Sequence, residues 1–324
     1  MKKLICLLML LFALPLFSQV SVITLTDPDQ HSKKEDFYHT FEYYVISDEG
    51  SSSKCQATRI APNWFATAAH CLKKPCQKSC KIRLDLLDQP VSVIAETNHS
   101  DKKPSVFVHP DFKEGTLIKG DFALFRLDLN HSPKIYYRRA TEKEPQNVAM
   151  TPKAFFHWLA THRQANRQYK NVLSPNLPPI AQFGNANYVL DGKISVISIF
   201  HGKRQVQPNP HPVYYVKKLG YAYTQNFGIR KGMSGSGVMT NTGELIGIIS
   251  AYVGADVYLG KKKVDRQDLF MFPVFNENLI SFMQEVMGAD FGRVDVKDAY
   301  PGIVSKTSKD FTKVLIIMDE PKKK

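Results

Sequence analysis

The chain has 324 residues, 43% hydrophobic and 23% charged, with 43 Lys and Arg against 30 Asp and Glu and a formal charge of +13. Twenty Phe and fourteen Tyr supply the apolar surface of a large core and exclude intrinsic disorder, while 18 Gly and 19 Pro without a repeat exclude collagen-like and low-complexity structure. The basic residues are dispersed rather than massed, so no nucleic-acid module is expected and the charge reads as a solvated basic surface.

In chain order, Met1-Lys2-Lys3 is a basic start, residues 4–17 are almost wholly apolar, and the small Ser18 follows. That pattern reads as a secretory signal over residues 1–18, because a spanning helix needs about 20 apolar residues. The expected product is secreted or periplasmic, has no stable membrane anchor, and loses Cys6 with the signal. Residues 19–40 are polar and expected to be irregular. From 41 to 129, short apolar runs at 43–46, 56–60, 64–68, 91–94 and 122–125 are separated by turn residues. Many short strands at such spacing indicate an antiparallel sandwich or barrel.

A polar stretch at about 130–150 interrupts the pattern. Thr151 and Pro152 then read as the N-cap and first position of a helix with Phe155, Phe156 and Leu159 on one side. The Pro-rich residues 174–179 are a loop. Strands resume at 194–200, 213–216, 237–239, 245–251 and 269–275. Asn276 can cap a last helix carrying Leu279, Ile280, Met283, Val286 and Met287 at helical spacing, with Gly288 as its stop. An extension over 290–324 follows, with one strand-like run at 314–318.

The mature chain keeps Cys55, Cys71, Cys76 and Cys80. An even count in an exported protein suggests disulfides, and four cysteines allow three pairings. Zinc is the competing reading, but Cys-x3-Cys departs from the usual ligand spacing and no paired histidines follow. The pairing expected is Cys55–Cys71, with Cys76–Cys80 as a small local clip. No metal and no cofactor are expected.

Three patterns carry chemistry: Thr67-Ala68-Ala69-His70-Cys71, then Gly120-Asp121 before an apolar strand, then Gly232-Met233-Ser234-Gly235-Ser236-Gly237. Hydrolysing an amide needs a nucleophile, a base to take its proton and a group to orient that base. A serine hydroxyl is too weak an acid to ionise near neutral pH, so it needs an imidazole within hydrogen-bond reach. The imidazole in turn needs a buried carboxylate, and glycines let backbone N–H groups converge on a developing oxyanion. Taken alone, Gly-Asp is often just a turn and a Gly/Ser run just a hairpin. The histidine context is the most specific of the three. His109, His157, His162 and His201 are read as structural or exposed.

With these contexts, in the order His, Asp, Ser, the chain resembles the secreted serine endopeptidases of the trypsin/chymotrypsin-like family, in a bacterial-type form. In that family the cysteine after the histidine pairs with one 16 positions upstream, as Cys71 and Cys55 are spaced. Val108-His109-Pro110-Asp111-Phe112 resembles the approach to the family's aspartate, Gly247-Ile248-Ile249-Ser250 its substrate-pairing strand, and residues 270–287 its closing strand and helix. The resemblance implies an all-β fold of two antiparallel β-barrels with a C-terminal helix and a helical insert. The protease domain would span 41–289, with a first barrel at about 41–130, a second at about 185–275 and a closing helix at 276–288. It further implies His70 as base and then acid, Asp121 as its orienting partner, Ser234 as nucleophile, and the N–H groups of Gly232 and Ser234 as the oxyanion hole. A monomer acting on protein or peptide substrates follows.

Departures from the family bear on activation and specificity. Digestive members carry Asp just before the serine to pair with a freed N-terminal Ile. Met233 stands there instead, and no Ile-Val-Gly-Gly precedes Cys55, so activity without such processing is expected. Gly228, six residues before Ser234, stands where trypsin-type enzymes place an acidic pocket floor, which argues against Arg/Lys preference. Ser250 and Tyr252 are the other expected substrate-binding residues. Tyr252 would narrow the pocket toward small side chains, whereas Arg230 and Lys231 would favour acidic ones. The alternative to an enzyme is an inactive pseudoprotease serving as a binding or adhesion module.

Overall fold

The computed structural model describes residues 20–24, 39–86, 91–114, 120–128, 134–137, 152–163, 189–190, 194–200, 203–211, 213–216, 220–240, 244–259, 262–294, 296–298 and 316–318. The expected signal at 1–18, Thr151, the loop at 174–179 and His201 lie outside the described residues. No helix among the described residues is long and apolar enough to cross a membrane.

The all-β expectation holds. After β1 (Val20–Thr24), the first half runs β2 (Thr40–Ser47), β3 (Ser52–Ala61), β4 (Trp64–Thr67), β5 (Ser79–Asp85), β6 (Val91–Ser100), β7 (Val106–Val108), β8 (Ala123–Arg126) and β9 (Lys134–Tyr137). These eight pair in the order β7-β8-β4-β3-β2-β5-β6-β9, an antiparallel sheet curled into a nearly closed barrel. Alternation drives it: Phe41, Tyr43 and Val45 of β2 and Ile82 and Leu84 of β5 are all fully buried. Phe65 and Phe125 stand opposite each other in the β4/β8 register and stack with centroids 5.1 Å apart.

Helix α1 (Pro152–Thr161) follows. Its side-chain assignment differs from the expected stripe, because Leu159 is buried and Trp158 packs on the first core while Phe156 is 60% exposed.

The second half contains β10 (Val189–Leu190), β11 (Ile194–Phe200), β12 (Lys203–Pro208), β13 (Val213–Val216), β14 (Tyr221–Gln225), β15 (Gly237–Thr240), β16 (Glu244–Ile248), β17 (Ala251–Leu259), β18 (Lys262–Pro273) and β19 (Phe275–Asn276). Helix α2 (Glu277–Met287), β20 (Val296–Asp298) and β21 (Ile316–Met318) close the chain. One sheet runs β12-β11-β15-β16-β1-β19 with β20 also on β1, and the other runs β10-β13-β14-β18-β17-β21. Val196, Val238, Ile246, Ile249, Phe270 and Phe272 fill the space between the two.

A third core joins the halves. Ile60, Trp64, Phe122 and Leu124 meet Ile197, Met239, Leu245 and Phe275, sealed by Leu279, Phe282 and Met283 of α2. Asn276 caps that helix as its sequence indicates, its side chain accepting from the Leu279 N–H at 3.0 Å. Trp64 Nε1 donates to Asp290 Oδ2 at 2.9 Å, fastening the end of the helix to the first half.

Three readings are corrected. Residues 20–24, expected to be irregular, form β1 against β16, β19 and β20. The run is rich in β-branched residues, and edges contributed by distant segments complete its ladder. Residues 134–137, within the expected polar break, form β9 on β6. The run at 245–251 is not one strand, because Ile249 N–H bonds Ser236 O whereas Ser250 N–H bonds Met271 O. The chain thus passes from one sheet to the other at Ile249–Ser250, beside Ser234.

Candidate active site

His70 sits in the 3-10 turn Ala69–Cys71 that follows β4, on the first half. Cys71 in the same turn is bonded to Cys55 of β3, so a disulfide fixes the histidine's own turn to the sheet. The second disulfide, Cys76–Cys80, closes the small clip expected. Among the described residues the only grouped potential metal ligands are Cys55, His70 and Cys71, and both sulfurs are committed to the disulfide.

Asp121 precedes β8 and is fully buried. Its Oδ1 accepts from the His70 backbone N–H at 2.8 Å, and its Oδ2 lies 2.8 Å from His70 Nδ1. Ser250 Oγ donates to the same Oδ2. A carboxylate can only accept, so opposite one the Nδ1 atom is the donor, and the tautomer that carries its proton there offers Nε2 as an acceptor. Nε2 stands 3.1 Å from Ser234 Oγ. The serine hydroxyl is therefore placed to hand its proton to a base that is 31% exposed and already oriented.

Ser234 belongs to a tight loop of the second half. Met233 N–H bonds Arg230 O at 3.1 Å, closing a turn in which Gly232 is the third residue, with φ +92°. A positive φ at that position defines the type II form, which fixes the orientation of the Lys231–Gly232 peptide. Neither the Gly232 nor the Ser234 N–H makes a hydrogen bond among the described residues, so both are available to an oxyanion. Gly235 is required sterically: a Cβ there would lie 1.6 Å from Gln56 O and 2.5 Å from Thr67 Oγ1. The loop is thus pressed against β3 of the other half, and Gln56 N–H bonds Ser234 O at 2.8 Å.

Met233 is 2% exposed within the second-half core, and its Sδ accepts from the Arg230 N–H.

A pocket of about 360 Å³ opens on one side of Ser234 and is lined by Ile229, Arg230, Lys231, Ile249, Ala251 and Tyr252, with Ser250 at its inner edge. Gly228 is not among the residues that line it. The Asn226 side chain accepts from both the Gly228 and Ile229 N–H groups, and Ile229 is among the lining residues. Arg230, Lys231 and Tyr252 do line it. His109 is buried, accepting from the Asp111 N–H through Nδ1 and meeting the edge of Phe282, while His157 and His162 are exposed.

Two residues of this site were not singled out by the sequence. Gln56, 1% exposed, donates through Nε2 to Ile199 O at 2.8 Å and Gly232 O at 3.3 Å, and accepts through Oε1 from Ile199 N–H and Ser236 Oγ. Tyr221 accepts the Asp121 N–H on its phenol oxygen at 3.2 Å. Burial, and then the charge of Asp121, pushes that phenol above its ordinary value, so it stays protonated.

The trypsin family matches residues 32–173, a stretch that contains His70 and Asp121 and stops short of Ser234. No curated protein matches the chain. Among solved structures it is similar to an inactivated protease paralogue, S-I1, of the scabies mite (12% identity, TM-score 0.40) and to HL collagenase (13% identity, TM-score 0.42). Each alignment covers 79% of this chain and 96% of the other. The resemblance carried by the three motifs is to the same family as this match.

Proposed function

We propose that this trypsin-like protein is a secreted serine endopeptidase that acts through His70, Asp121 and Ser234. The observation that supports it most is the unbroken run from buried Asp121 through His70 to Ser234 Oγ, at 2.8 and 3.1 Å, assembled from both halves. In this reading Ser234 Oγ attacks the scissile carbonyl carbon while its proton passes to His70 Nε2. The carbonyl oxygen, now anionic, is held by the N–H groups of Gly232 and Ser234. Collapse breaks the C–N bond as Nε2 returns the proton to the leaving amine, and water then repeats the sequence on the acyl-enzyme. Asp121 remains a carboxylate and stabilises the imidazolium.

Buried Met233 supports a loop that holds its form without a freed N-terminus, so the secreted chain is active without cleavage near residue 40. The pocket walls supply Ile229, Ile249 and Ala251 with no acidic group, which supports small apolar or acidic residues before the scissile bond rather than Arg or Lys. A peptide-library profile dominated by Arg and Lys would overturn that preference.

The test is labelling of purified, oxidised protein by a fluorophosphonate probe, beside Ser234→Ala and His70→Ala. Labelling near neutral pH that both substitutions abolish is the expected result. Failure of a folded wild type to label would refute the enzyme and favour the binding module.

A further inference from the structure

A second cleft, of about 740 Å³, opens on the other side of the His70–Ser234 pair. The two clefts share only His70, Lys231 and Ser234, so a reacting carbonyl lies between them. In the endopeptidase reading, the smaller pocket takes the residues before the scissile bond. The residues after the bond then face the larger cleft, which adjoins the same His70 and Ser234.

That cleft is built differently from the first. Its wall is the loop between the 3-10 turn and β5, closed by Cys76–Cys80 and carrying Lys74 and Lys78. The loop is pinned: Cys76 N–H bonds Leu72 O, and Lys73 reaches the Phe112 carbonyl while lying over its ring. Lys74, Lys78 and Lys231 are exposed, and none is in an ion pair among the described residues. Lys54, also on the wall, is paired with Glu42 at 2.6 Å. The acids facing them are Asp48, which accepts from Ser79 Oγ, and Glu49. The cleft keeps a positive balance on a wall whose position is set before any ligand arrives.

We propose that this cleft binds the leaving-group side of the substrate and selects Asp or Glu among the residues that follow the scissile bond, through Lys74 and Lys78 on the disulfide-closed loop. The proposal rests on the endopeptidase reading. Its preference is nevertheless a binding property that can be measured without turnover.

The experiment uses internally quenched peptides with one common sequence before the bond and Glu-Glu, Gln-Gln or Lys-Lys after it. Ser234→Ala protein is titrated with the same peptides by fluorescence anisotropy. Acidic peptides should exceed basic ones about tenfold in kcat/KM and in affinity, with the advantage shrinking as salt rises from roughly 0.05 to 0.5 M. Lys74→Glu/Lys78→Glu should reverse the order, and as an exposed double change it leaves the core intact. Equal kcat/KM and equal affinity for acidic and basic peptides would overturn the proposal, as would an order that the double variant does not alter. Absence of all cleavage with a retained acidic preference in anisotropy would refute the endopeptidase reading and leave the anion-binding subsite standing.

Discussion

Gly232→Ala separates the chemistry of the serine loop from its stability. Gly232 holds φ +92° as the third residue of the turn closed by Met233 and Arg230, and a Cβ there would meet nothing within 4 Å. Packing therefore does not oppose the alanine; backbone strain does, by about 1–3 kcal/mol for a side chain in that region. The turn has an escape. Rotating the Lys231–Gly232 peptide converts type II to type I, with a negative φ at the third residue, and relieves the strain. The same rotation swings the Gly232 N–H away from the oxyanion position. Losing one such donor costs about 10²–10³ in rate, or roughly 2.7–4 kcal/mol at the transition state. The chemical penalty exceeds the strain that provokes it. Labelling by the fluorophosphonate probe should slow by about 10²–10³, while Tm falls by no more than roughly 2–12 °C. Gly288→Ala is the control, since Gly288 has φ +53° and open space at the end of α2, far along the chain from Ser234; it should cost stability and leave labelling unchanged. Labelling of Gly232→Ala within about threefold of wild type would refute the oxyanion assignment, because a lost donor cannot be that mild.

Tyr221→Phe strands the buried Asp121 N–H and should cost about 1–3 kcal/mol in chemical denaturation, with kcat falling and KM held; unchanged kcat would make Tyr221 purely structural. Gln56→Leu leaves Ile199 N–H and Ser236 Oγ unpaired in the interior, and a loss of about 2–5 kcal/mol in unfolding free energy by chemical denaturation is expected, with serine labelling lost alongside. His99 is buried and accepts from the Ser105 N–H, and burial lowers its pKa against the opposing pull of Asp101. The unfolded chain then binds more protons at this site, so its contribution to stability is present above about pH 6.5 and is lost as pH falls through the window below it. His99→Asn should flatten the stability profile between roughly pH 7 and 5, and an unaltered slope would contradict the assignment. Replacing Cys55 and Cys71 with Ser should cost about 3 kcal/mol by loop entropy and slow labelling as well, because the bond anchors the turn that carries His70.

The legible parts of this protein are those whose cause is local. Asn276 announces a helix because its side chain caps an N–H three residues on, and Phe41, Tyr43 and Val45 announce a strand because alternation puts all three on one face. His70 and Ser234 are found through their immediate neighbours: a cysteine that fastens the turn, and glycines that let the loop fold. Where the cause is remote the sequence is silent. β1 needs edges made by residues more than two hundred positions away, and a polar neighbourhood hides it.

Gln56 shows the same limit inside the site. In sequence it is one polar residue in a β-strand, a position that ordinarily faces solvent. In the fold its amide takes the part of a missing strand, meeting both backbone groups of Ile199 and also holding Gly232 O and Ser236 Oγ. Its own N–H binds Ser234 O, and its own carbonyl occupies the space that Gly235 must leave empty. The side chain and backbone of one residue thus register the serine loop of the second half against the histidine-bearing sheet of the first. Asp121 and His70 come from one half and Ser234 from the other, so the 3.1 Å between Nε2 and Oγ depends on that register rather than on either motif alone. No spacing within a single segment encodes it.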